Sequence, residues 1–149
     1  MLSFEQMLRA IDSIVSKEFD QKGGIESRAA LIMSDDLIFH PLIWDDDNGK
    51  ERAFVELRKR IRALKPERYA IVGEAWKAPW PEHPALFRAS KSDQCIETVY
   101  VLLVDRSGQN CLAMRPIETP HWSRDPRPGL GPISVEYNLE GYFTDLFGK

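Results

Sequence analysis

The residues with the richest chemistry fall in two stretches without regular hydrophobic pattern. Positions 77–94 carry Trp80, His83 and Arg88 among Pro79, Pro81 and Pro84; positions 119–132 carry His121, Trp122, Arg124 and Arg127 among Pro120, Pro126, Pro128 and Pro132. A third feature is Glu74, a carboxylate inside an otherwise apolar run, two residues before Trp76. A carboxylate held near His83 or His121 has the chemistry of a general base or a metal ligand, which would suit a small metal-dependent or acid–base hydrolase. The ordinary fate of such a group is solvation or pairing with an arginine. Aromatic side chains mixed with arginines are what protein-binding hot spots favour. Trp76, Trp80, His83, His121, Trp122, Arg124 and Arg127 therefore form a candidate binding set, whose plainer role would be to cap the open end of a core.

Sharper motifs fall short of their requirements. Glu74 followed by His83, Ser90 and Asp93 is similar to the zinc site of JAMM-type isopeptidases, but that site needs two histidines flanking one residue, and Pro81 precedes Glu82 here. Asp45-Asp46-Asp47-Asn48-Gly49 resembles part of an EF-hand loop; aligning Gly49 on the loop glycine puts Trp44 at the first ligand position and Val55 where a glutamate belongs. Cys95 and Cys111 sit in or beside strands with no local nucleophile signature. The cations of the segment 50–65 have the means to contact nucleic acid, yet Glu51, Glu56 and Glu67 dilute them and a solvated helix face accounts for them. There is no phosphate-cradling glycine loop, nucleophile elbow or zinc-type cysteine pair. No cofactor and no metal is expected.

Composition narrows the classes further. A chain of 149 residues with 43% hydrophobic content is long enough for one domain with a real core. The formal charge of −3 argues against a dedicated nucleic-acid binder, which carries a basic footprint. No apolar run approaches the roughly 20 residues of a membrane span. The N-terminus carries Arg9, Asp12 and Glu18 in an amphipathic pattern, unlike a secretory signal. Two cysteines on separate strands read as free thiols of a reducing cytoplasm.

The elements that would position these residues follow from periodicity. Ser3 to Asp20 reads as a helix, with Ser3 and Gln6 forming a capping box, Phe4, Met7, Leu8, Ile11, Ile14, Val15 and Phe19 on one face, and Gly23-Gly24 ending it. Ala29–Met33 and Leu37–Ile43 read as a hairpin around Ser34-Asp35-Asp36, with one helix as the alternative; the β-branched and aromatic residues Ile32, Ile38, Phe39 and Ile43 favour strands. A second helix spans about Lys50 to Leu64, with Phe54, Leu57, Ile61 and Leu64 buried and Pro66 stopping it. Strands follow over Arg68–Trp76, Ile96–Asp105, Gln109–Ile117 and Ile133–Leu139, with a terminal turn burying Tyr142, Phe143, Leu146 and Phe147.

The order α-β-β-α-β-β-β-β, with strands joined mostly by hairpins and loops, predicts a single-domain α+β two-layer sandwich: a mainly antiparallel sheet with two helices on one face. If Arg68–Trp76 and Ile96–Asp105 are antiparallel and Ser107-Gly108 is a hairpin turn, both long loops leave from the same end of the sheet. Long loops in a small domain are often functional. Ile133–Leu139, if it lies at an edge, offers a place for a second copy to pair.

The segment Tyr69-Ala-Ile-Val-Gly-Glu-Ala-Trp76, a proline-rich loop, and Glu97-Thr-Val-Tyr-Val-Leu-Leu-Val-Asp-Arg-Ser-Gly108 together resemble a group of small uncharacterised proteins from bacteria and their phages. The resemblance covers about a third of the chain. It implies a soluble bacterial or phage protein and brings no catalytic residue with it. The expected function is binding of another protein in a regulatory setting, through the end of the sheet that bears the two loops.

Overall fold

The computed structural model describes residues 2–77, 96–118, 128–140 and 144–147. Helix α1 runs Phe4–Lys22 and starts in the expected capping box: the Ser3 hydroxyl accepts from the Gln6 backbone N–H and the Gln6 side chain accepts from the Ser3 N–H. Gly23 closes it at φ 74°, a left-handed conformation that glycine adopts without a Cβ penalty. Strands β1 (Arg28–Ile32) and β2 (Leu37–Pro41) form the hairpin. Helix α2 (Asp47–Leu64) is capped by the Asp46 carboxylate, which accepts from Gly49 N–H at 2.6 Å, and ends at Lys65 in the left-handed region. Strands β3 (Arg68–Lys77), β4 (Ile96–Asp105), β5 (Asn110–Glu118), β6 (Gly129–Leu130) and β7 (Ser134–Tyr137) complete the chain. The two-residue β6 lies in what the proline and glycine content marks as loop; it pairs with β5 only at Ile117–Leu130 and Glu118–Gly129.

All described pairings are antiparallel, in the order β2-β1-β3-β4-β5-β6, with β7 also on β5. The α+β class and the antiparallel sheet are as expected. The two helices, expected together on one face of a two-layer sandwich, are instead divided between the two faces. Paired residues point to the same side of a sheet. One face carries Ala30, Ile32, Ala70, Val72, Val99, Val101, Leu103, Cys111 and Ala113 and packs on Phe4, Leu8, Val15 and Phe19 of α1. The other carries Ala29, Leu31, Tyr69, Ile71, Leu102 and Val104 and packs on Phe54, Leu57 and Ile61 of α2. The reason lies in the strands themselves. β1, β3 and β4 are apolar at consecutive positions, so both of their faces need cover. Ile14, which the helical period puts on the apolar face of α1, is half exposed.

Polar contacts fix each helix to its face. Arg115 on β5 makes a two-pronged contact with Asp12 of α1, at 2.9 and 2.7 Å, and donates to the Gly131 carbonyl. Arg28 on β1 pairs with Glu18 at 2.8 Å. At the C-terminal end of α2, Arg106 in the β4–β5 turn donates to the carbonyls of Lys65 and Pro66. Leu146 is fully buried, its N–H bonded to the buried Tyr69 hydroxyl at 3.2 Å, and Phe147 packs against the Tyr69 ring. Tyr142 and Phe143 lie outside the described residues.

Candidate functional site

Register puts several chain segments at one end of the sheet. Lys77 pairs with Ile96 and Thr98 with Pro116, so the segments 78–95 and 119–127 both depart from the same end, as the hairpin argument requires. Arg28 pairs with both Val72 and Pro41. The turn 23–27 after α1 and the segment 42–46 before α2 therefore join the sheet at that end too. The opposite end has short connections: 33–36, 65–67 and 106–109.

The side chain of Trp76, and all of Trp80, His83, His121, Trp122, Arg124 and Arg127, lie outside the described residues. Glu74 is described. It projects on the α1 face opposite Val99, and its Oε1 accepts from the Ile25 N–H at 2.9 Å. Its partner is the turn that follows α1. A carboxylate so placed fastens that turn to β3, a structural contact that the sequence offers no means to anticipate. Next to it, the buried Thr98 hydroxyl donates to the Ala75 carbonyl at 2.9 Å.

A surface that sequence reasoning misses stands at the outer corner of this same end. Phe39 is 50% exposed and Ile43 78% exposed. An open cleft of about 480 Å³ is lined by Glu26, Arg28, Phe39, Leu42, Ile43 and Trp44. A second, of about 380 Å³, continues from Ile43 and Trp44 to Asp45, Asp46, Arg52 and Glu56. The Arg28 guanidinium stacks over Phe39 at 5.5 Å and the Lys50 ammonium over Trp44 at 5.7 Å. Trp44 in turn leans on Phe54, centroids 5.8 Å apart, which anchors the surface to the core. One signal for it is present in the sequence: Pro41 inside a strand run marks an edge strand, because proline has no N–H to donate to a ladder on the side its backbone faces.

No protein-family model, curated protein or solved structure matches this chain. The chemistry of the surface must therefore speak for it. Among the described residues no group of three or more His, Cys, Asp or Glu is arranged to hold a metal ion. Cys111 is a buried free thiol opposite Leu103, its pKa pushed up to about 11 by burial and by the charge of Glu5, which keeps it in the unreactive thiol form; Cys95 lies outside the described residues. Several cations of α2 are engaged within the fold: Arg52 donates to the Asn48 carbonyl, Arg58 to the Asp145 carbonyl, Lys59 pairs with Glu56, and Arg60 bonds His40 at 3.2 Å. His40 has its pKa lowered by burial first and by the Arg60 charge second, against an opposing pull from Glu56. Exposed apolar and aromatic side chains and stacked cations thus lie beside β2, which is the last strand on that side among the described residues. No described helix is long and apolar enough to cross a membrane.

Proposed function

We propose that this chain is a non-enzymatic binding protein that recognises another protein through the loop-bearing end of its sheet, in a bacterial or phage cytoplasmic setting. The observation that carries the reading is the register of β3, β4 and β5, which brings the departures of segments 78–95 and 119–127 to one end. Those segments hold Trp80, His83, His121, Trp122, Arg124 and Arg127. The exposed Phe39 and Ile43 and the half-buried Trp44 stand at the outer corner of the same end, so apolar contact area is available there beyond the loops. Aromatic residues with arginines are the side chains from which interface hot spots are built.

The test is a chain carrying Trp80→Ala and Trp122→Ala together, used beside the unaltered chain to capture partners from the source cell. The expected result is loss of the captured partner with the melting transition preserved. Unchanged capture by a folded double variant would remove this end as the interface.

A further inference from the structure

The outer edge of β2 has a specific hydrogen-bonding pattern. Leu42 N–H bonds the Ser27 carbonyl and Met33 N–H bonds the Asp36 carbonyl. Hydrogen-bonded and non-bonded pairs alternate along an antiparallel ladder. Asp36, Ile38, His40 and Leu42 therefore direct their backbone groups at β1, while Leu37, Phe39 and Pro41 direct theirs away from the sheet. Among the described residues, β2 is the last strand on that side. The Leu37 N–H already donates to the Asp36 carboxylate at 2.8 Å, and Pro41 has no N–H. The edge thus presents the carbonyls of Leu37, Phe39 and Pro41 with one donor, Phe39 N–H. Acceptors outnumber donors along it.

The side chains beside it have a pattern of their own. Leu37 is 40% exposed, Phe39 50% and Ile43 78%, and the cleft beside Phe39 continues past Ile43 and Trp44. Acids bracket this apolar strip. Between Ala29 and Gly49 the chain has Asp35, Asp36, Asp45, Asp46 and Asp47 and no lysine or arginine. The Asp36 carboxylate sits on the outer edge itself. Asp45, Asp46 and Glu56 line the far cleft against Arg52, with Lys50 stacked on Trp44, while Glu26 and Arg28 offset each other in the near one, so acids still outnumber cations along the strip.

We propose that β2 accepts an added strand from a partner protein: an extended segment with alternating apolar residues at its centre and lysine or arginine at its ends. The inference rests on the protein-binding reading above and names the chemistry of the partner. Antiparallel addition opposite Phe39 would pair its N–H and carbonyl with one residue of the incoming strand, and the residues two positions to either side of that one would bring their N–H groups to the Leu37 and Pro41 carbonyls. An apolar side chain would enter the cleft between Phe39 and Ile43, and flanking cations would meet the aspartates. A second copy of this chain is the wrong occupant on charge. Self-pairing about Phe39 sets Asp35 opposite Ile43 of the second copy and diagonal to its Asp45, which gathers like charges at both ends.

The experiment is selection of peptides from a random linear library against the full chain, with the same selection against Phe39→Pro and Ile43→Asp. Proline at position 39 removes the outward donor, as at Pro41; Ile43 is exposed enough that its replacement leaves folding intact. Peptides with alternating apolar centres and basic flanks are expected, binding at least about tenfold more weakly to either folded variant, and weakening as salt is raised. The inference is overturned if no sequence is enriched over the variants, if the enriched sequences are acidic or follow a helical period, or if sedimentation shows the full chain to be a dimer that Ile43→Asp dissociates. Because the peptide selection reads β2 and the Trp80/Trp122 variant reads the loops, either can fail alone.

Discussion

At the scale of single residues, spacing locates groups but not their partners. Glu74 stands out because it interrupts an apolar strand, and it does occupy a particular position; its hydrogen bond runs to Ile25, which is distant in sequence and brought near only by the fold. His40 likewise interrupts a short apolar run, and its partner too is distant in sequence. In the structure it is the point where β2 meets α2, its ring bonded to Arg60. A histidine whose folded pKa lies below its free value of 6.5 stabilises the folded chain above that pH, and the contribution is lost as pH falls through the folded value. The melting temperature should therefore decline as pH is lowered from 6.5, and His40→Gln should flatten that part of the profile. An unaltered profile in the variant would show that His40 does not carry it.

At the scale of elements, the sequence is legible wherever the signal is local. Ser3, Gln6 and Gly23 bound α1 through contacts within a turn of helix, and these can be read from spacing alone. The hairpin pairs and the β4–β5 turn follow from apolar runs interrupted by polar and glycine residues. β6 has no such signature, because two residues carry no period. The attachment of elements to each other is where variants should report most. Glu74→Ala removes the acceptor for Ile25 N–H and should cost about 1 kcal/mol in a denaturant melt, whereas Glu74→Gln, which keeps an acceptor oxygen, should cost less. Equal losses from both would mean that charge, not the hydrogen bond, holds the α1–β1 turn on β3.

For the whole molecule, the deciding feature is the doubly apolar character of the central strands. The runs Ala29-Ala30-Leu31-Ile32, Ala70-Ile71-Val72 and Val101-Leu102-Leu103-Val104 are buried throughout and leave no polar face to solvate. With α1 on one side and α2 on the other, the sheet becomes the middle layer. The chain end contributes to the α2 side, since Leu146 lies against Tyr69 and its N–H has the phenol oxygen as acceptor. Tyr69→Phe leaves that buried N–H without its partner and should cost about 1–3 kcal/mol. It should also speed proteolytic trimming after residue 140, and a chain trimmed at the wild-type rate would show that apolar packing alone retains the terminus.

The sequence by itself determined the class, the helices and most strand bounds, because caps, turns and hydrophobic periods act over a few residues. It also determined that two proline-rich segments leave the same end of the sheet, because antiparallel neighbours reverse direction at each turn. Tertiary structure alone decided which face each helix covers, that the Glu74 carboxylate serves the turn at Ile25, and that Phe39, Ile43 and Trp44 share one open corner beside the outer edge of β2. Each of these depends on groups far apart in the chain, whose distance is set by packing and not by spacing.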